Sequence, residues 1–271
     1  RRPLGATWPK KCPSKRFTKM IKIIFLVSIC SCLGSVLEAK DGTKIEQKSV
    51  KYSLVDLDFT SLNNAFESSI QSVKEIMKKY PERNFVLVGH SLGGLFAIYV
   101  AQQLGDEIHK LIFVNTGLAP KRVAMKAMQQ MQINRFSKFI KKIGMRMLFS
   151  GKLPKWLTSS LYFTDDTPEH VKMELSKHKV RENRAFLMEH FNSKSIWNSH
   201  IERIHFSGPD NVLSLFGSKD KTTPKTAFMY LVKKLNASYT IYEGSGHNDI
   251  ITAPKYNDKF VEEIILFADN V

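Results

Sequence analysis

The ten residues FVLVGHSLGG, Phe85 to Gly94, constrain the fold more than any other stretch of the chain. An apolar run of β type ends at Gly89. A second apolar run with helical character, Leu92 to Leu104, begins almost at once. A strand that turns so sharply into a helix forces the residue at the corner into a strained conformation. Side chains beside that corner would collide with the neighbouring elements, and glycine has none. The spacing Gly89-His90-Ser91-Leu92-Gly93 is therefore read as a nucleophile elbow, with the Ser91 hydroxyl as the candidate centre of the chemistry.

The pattern around this corner alternates. Lys51–Phe59 reads as a strand. Ser61–Tyr80 reads as a helix with Leu62, Phe66, Ile70, Val73 and Ile76 at helical spacing, with Asp58, Thr60 or Ser61 as its cap and Pro81 as its stop. Asn84–Val88 and Lys110–Asn115 read as strands on either side of the Leu92–Leu104 helix, which Gly105 ends. Between Gly117 and about Pro209 the alternation lapses into a helical pattern rich in Met, Lys and Arg. It resumes with Asn211–Gly217 (strand), Lys221–Leu235 (helix), Ser238–Glu243 (strand) and Pro254–Ala268 (helix). Strands alternating with helices predict an α/β fold, a mostly parallel sheet with helices on both faces. The expected division is an N-terminal extension (1–39), a core built from 40–116 and 211–271, and an inserted helical cap (117–210).

Length and composition allow this. The chain has 271 residues, 43% of them hydrophobic, enough for one large core. The formal net charge of +16 admits nucleic acid, an anionic lipid surface or an acidic substrate. No zinc-finger spacing, Walker loop or RNP-like aromatic motif accompanies the charge, so no nucleic-acid partner is expected. The three cysteines, Cys12, Cys30 and Cys32, lie near the N-terminus. They provide neither a disulfide framework nor a nucleophile in the segments that would carry catalysis. No metal or cofactor is expected.

A serine hydroxyl is a weak nucleophile and needs a base, which in turn needs an orienting acid. Such groups converge on loops at the C-terminal ends of parallel strands. Ser91, Asp220 (in GSKDKTTP) and His247 (in EGSGHND) each follow a predicted strand, in the order serine, acid, histidine. Asp210 and Asp249 are the nearest alternatives to Asp220, and neither directly follows a convincing core strand. His90 reads as a supporting residue rather than a base.

The stretches VGHSLGG, LFGSKDKTTP and YEGSGHNDI resemble the α/β-hydrolase superfamily, over roughly residues 50–116 and 211–268. The resemblance implies Ser91 as nucleophile, His247 as general base and then acid, and Asp220 as the residue that fixes the imidazole tautomer. It implies the Leu92 backbone N–H, at a helix N-terminus, as one oxyanion donor. The expected activity is hydrolysis of carboxylic esters; the alternative is a non-catalytic homologue that binds an apolar ligand or a partner. A His-Gly motif, the usual source of the second oxyanion donor, is absent from the chain.

Residues 20–39, MIKIIFLVSICSCLGSVLEA, carry two readings. One, slightly preferred, is a signal peptide cleaved near Ala39, implying secretion or an endomembrane lumen; the sheet would then lack a strand in its N-terminal part. The other is a core strand, Lys22–Val27, implying an intracellular location and Val27-Ser28 in the place of the His-Gly motif. The chain begins at Arg1 rather than Met, as a fragment or an upstream read-through would. In the cap, Met125, Met128, Met131, Phe136, Phe139, Ile140, Ile143, Met147 and Leu148 stand among basic residues. They pack onto the core or form an adaptable lid for acyl chains, and the lysines suit an anionic membrane surface. Trp156, Leu157, Tyr162 and Phe163 are candidates for the same mouth. The expected partner is a small ester or lipid.

Overall fold

The computed structural model describes residues 21–27, 51–55, 61–81, 84–117, 162–176, 203 and 206–269. Six strands form one parallel sheet: β1 (Ile21–Val27), β2 (Lys51–Val55), β3 (Asn84–His90), β4 (Ile108–Val114), β5 (Val212–Gly217) and β6 (Ser238–Tyr242). Their order across the sheet is β2-β1-β3-β4-β5-β6. Of the two readings of residues 20–39, the structure carries the strand. Ile21–Val27 pairs with β2 on one side and with β3 on the other, from Ile21 beside Asn84 to Val27 beside His90. The interior partner of β3 is thus present. Residues 28–39, with the cleavage site of the other reading, lie outside the described residues.

Six α-helices are described: α1 (Leu62–Lys79), α2 (Leu92–Leu104), α3 (Glu169–Ser176), α4 (Lys225–Leu235), α5 (Asp249–Thr252) and α6 (Pro254–Asp269). Of the three candidate caps for α1, Ser61 does the work, accepting from the Asn64 N–H at 3.1 Å. Only α5, a single turn beginning two residues after His247, was not expected from the sequence.

Side-chain alternation along the central strands feeds two cores. Phe85, Leu87, Leu111 and Phe113 pack against α1 and α2 through Phe66, Val73, Phe96 and Val100. Val86, Val88, Ile112, Val114, Leu213 and Leu215 pack on the opposite face against α5 and α6, through Ile250, Ile251, Phe260 and Ile264. All seven residues of β3 are buried. A strand covered on both faces reads as a continuous apolar run, which is why Phe85–Val88 carries no alternation. Most of the expected cap lies outside the described residues; from it, residues 162–176 hold α3 and a stretch, 162–167, packed on the core.

Candidate active site

The three proposed strand-end loops converge at the C-terminal edge of the sheet. Ser91 stands between β3 and α2 with φ 53° and ψ −120°, a conformation that costs a non-glycine residue about 1–3 kcal/mol. The turn survives because its surroundings leave it no alternative. The Ser91 N–H donates to Val114 O at 2.9 Å, extending the β3–β4 ladder into the corner. The Thr116 hydroxyl lies 3.0 Å from Ser91 O. A Cβ on Gly89 would overlap the Gly94 backbone, and one on Gly94 would overlap the Thr116 side chain. The structure therefore assigns the tight approach to Gly89 and Gly94.

Asp220 uses its two carboxylate oxygens for two tasks. Oδ1 accepts from the N–H groups of Thr222 and Thr223, at 2.7 and 2.9 Å, which fixes the carboxylate in its turn. Oδ2 lies 2.7 Å from His247 Nδ1. On the other side of the ring, His247 Nε2 lies 2.8 Å from Ser91 Oγ. An ionised carboxylate only accepts, so Nδ1–H donates to Asp220 and the bare Nε2 accepts from the Ser91 hydroxyl. The His247 and Asp220 side chains are almost fully buried. Ser91, Asp220 and His247 are brought together, and Asp210 is not in contact with the imidazole. Leu92 is the first residue of α2, so its N–H is among the first-turn donors without an intrahelical acceptor.

Of the residues that hold this arrangement, the sequence pointed to His90 but not to Asn115. Asn115, directly after β4 and at φ 48°, ties three loops. Its amide donates to His247 O at 2.6 Å and to Gly246 O at 3.3 Å, while its Oδ1 accepts from the Gly217 N–H at 2.7 Å. The Thr223 hydroxyl donates to Asn115 O at 2.8 Å. A polar residue following an apolar strand at the catalytic edge was the available signal. His90 also supports the loop: its Nε2 lies 3.0 Å from His247 O and its ring centroid 5.1 Å from that of His247. The acceptor is a carbonyl, so Nε2 carries the proton. Nδ1 is buried without a partner among the described residues. Burial first, then the neighbouring His247, lower the His90 pKa to about 3, so the ring stays neutral.

Residues 162–167 close the site from the other side. The ring of Tyr162 lies 5.8 Å from that of His247, and its carbonyl accepts from the Asn248 N–H at 2.9 Å. Burial raises the Tyr162 pKa, and the nearby Asp220 charge raises it further. Among the described residues, no group of three or more His, Cys, Asp and Glu side chains forms a metal site.

The parallel sheet with a strand-turn-helix serine at its C-terminal edge, hydrogen-bonded to a histidine that is in turn hydrogen-bonded to an aspartate, defines the α/β-hydrolase class. Residues 58–254 match the family described as alpha/beta hydrolase fold, and the chain belongs to that family. A Mycoplasma pneumoniae protein that carries the name esterase/lipase 2 is 25% identical over 236 residues, 82% of this chain and 80% of that protein. Among solved structures, a lipase-esterase related protein from Clostridium acetobutylicum superposes with TM-score 0.65 at 14% identity, covering 93% of this chain and 96% of that one. A monoacylglycerol lipase of Paleococcus ferrophilus superposes with TM-score 0.59 at 17% identity, covering 92% and 95%. At these identities the superpositions establish the fold.

Proposed function

We propose that the chain is a serine hydrolase that cleaves carboxylic esters with hydrophobic acyl groups through an acyl-enzyme. The observation that carries the reading is the unbroken line Ser91 Oγ–His247 Nε2 (2.8 Å) and His247 Nδ1–Asp220 Oδ2 (2.7 Å). In the proposed reaction Ser91 Oγ attacks the ester carbon while its proton passes to His247 Nε2. The carbonyl oxygen becomes an oxyanion, and the Leu92 N–H donates to it. Collapse expels the alkoxide, which takes the proton back from Nε2 and departs as alcohol. Water then attacks the acyl-serine, again losing its proton to Nε2, and the carboxylic acid leaves with Ser91 restored. Asp220 keeps Nδ1 protonated throughout and balances the imidazolium. The second oxyanion donor is proposed to come from the chain leaving β1, whose last residue, Val27, is in register with His90.

Residues 117–210 are proposed as the helical cap over this edge, with the apolar residues between Val123 and Phe149 accepting the acyl chain. The basic surplus of the same stretch suits an anionic lipid surface as the place where such substrates are met.

An alkyl fluorophosphonate is expected to label the folded protein at Ser91, as read by peptide mass. Ser91→Ala should abolish the labelling and lower ester turnover by about 10⁴-fold or more. With p-nitrophenyl esters from acetyl to decanoyl, kcat/KM should rise up to about fourfold per buried methylene. A folded protein that neither labels nor turns over any ester would overturn the reading in favour of a non-catalytic homologue.

A further inference from the structure

Asp249 is fully buried, and the mechanism above does not use it. Burying a carboxylate costs several kcal/mol unless donors surround it. Here its two oxygens receive those donors from two directions. Thr164 supplies its backbone N–H, at 3.2 Å to Oδ1 and 3.0 Å to Oδ2, and its hydroxyl, at 2.5 Å to Oδ2. The Thr167 hydroxyl donates to Oδ1 at 2.7 Å. The fourth donor belongs to the histidine loop itself: the Gly246 N–H, 2.7 Å from Oδ2. Gly246 allows this approach, because a Cβ there would stand 2.9 Å from Oδ2 and 3.2 Å from the Thr164 methyl.

The consequence falls on the residue between. The Ser245–Gly246 peptide, one residue short of His247, is fastened to Asp249 through the Gly246 N–H. The peptide after His247 is fastened to Tyr162 O through the Asn248 N–H. The His247 carbonyl is held by Asn115 and His90. The strand ends thus fix one side of the loop and residues 162–167 fix the other. A hydrogen bond of 2.8 Å to Ser91 tolerates little drift of the imidazole, and a displacement of about 1 Å can lower a rate about 100-fold.

We propose that Asp249 is a positioning residue for His247: its buried carboxylate fastens residues 164–167 to the histidine loop and so sets the imidazole against Ser91 and Asp220. It touches neither substrate nor a reacting atom. The proposal rests on the serine-hydrolase reading for its effect on rate, and on the Asp220–His247 hydrogen bond alone for its effect on structure.

The test uses Asp249→Asn, which keeps the shape and removes the charge, and Thr167→Val, which keeps the carboxylate and removes one donor. Each is compared with the unaltered chain by thermal unfolding, by kcat and KM on acetyl and decanoyl esters, by the labelling rate with a small fluorophosphonate, and by the downfield NMR resonance of the imidazole Nδ1–H. For folded Asp249→Asn, kcat on both esters and the labelling rate should fall together, by about 10- to 100-fold, with little change in KM. The Nδ1–H resonance should shift or broaden. Thr167→Val should show the same pattern with a smaller loss, and it decides the matter if Asp249→Asn does not fold. A folded variant with parental kcat, labelling and Nδ1–H resonance overturns the proposal. So does a change confined to KM for the decanoyl ester, which marks a lid anchor without influence on the imidazole. If the unaltered chain does not label, the serine-hydrolase reading fails by itself; the Nδ1–H resonance of Asp249→Asn then still upholds or overturns the positioning of His247.

Discussion

Ser91 and His247 meet at 2.8 Å, yet the chain holds them by opposite means. Ser91 is fixed mainly by its own neighbourhood, a buried strand behind it, a helix in front and two glycines that admit the close passage of the turn, with Val114 and Thr116 as its distant supports. His247 stands in a loop whose geometry is set from elsewhere. Asn115 follows β4, His90 ends β3, Asp220 follows β5, and Tyr162 and Thr164 come from far upstream. Local backbone geometry makes the elbow robust to distant change and intolerant of change within it. The histidine loop should show the reverse, a graded response to substitutions far away in sequence.

The sharpest break of this contrast is Gly94→Val. Its side chain must enter the space of Thr116, so the variant should lose about 3 kcal/mol or more, read as a fall in the urea midpoint or failure to fold. A parental midpoint would mean the elbow yields more than its geometry implies. Asn115→Ala acts on the other side. It deletes the bonds to His247 O, Gly246 O and the Gly217 N–H, leaving the last buried without its acceptor. It should cost about 1–3 kcal/mol. Fluorophosphonate labelling should slow about 10-fold while remaining at Ser91. Unchanged labelling in a folded variant would show that the loop keeps its place without this support.

A pH dependence sharpens the contrast further. His90 binds a proton near pH 3 when folded and near 6.5 when unfolded. Below pH 6.5 the unfolded chain takes up that proton first, so stability falls as pH falls, by about 1.4 kcal/mol per unit at most, until the folded ring titrates. Above pH 6.5 both states are neutral and the contribution is constant. His90→Gln, which retains a donor for His247 O, should have a shallower loss of urea midpoint between pH 6.5 and 4.5. Equal slopes in the two proteins would count against a buried neutral imidazole.

The legibility of the site follows the same division. Ser91 was evident because its marks in the sequence, an apolar run, the glycines and a helical run, all lie beside it. Asp220 and His247 were evident because each follows a strand and the three occur in a set order. Asn115 has a weaker mark, and Thr164 and Thr167 have none, since a threonine that donates to a buried carboxylate looks in sequence like any other threonine. Asp249 lay in view as a rival acid. Its contacts place its carboxylate with Thr164, Thr167 and Gly246, while the Asp220 carboxylate faces the imidazole.

By itself the sequence determined the alternation of strand and helix, and so a parallel sheet buried on both faces, with a serine corner at its C-terminal edge. Those follow from periodicity and from glycine, which act over a few residues. Tertiary structure decided between two readings of an apolar stretch: the run Ile21–Val27 suits a leader as well as a strand, and its pairing with both β2 and β3 is a relation to residues as far as 63 positions away. It also decided which carboxylate meets the histidine and which fastens the loop. Both are carboxylates near a strand end, and only the donors that the fold gathers around each distinguish them.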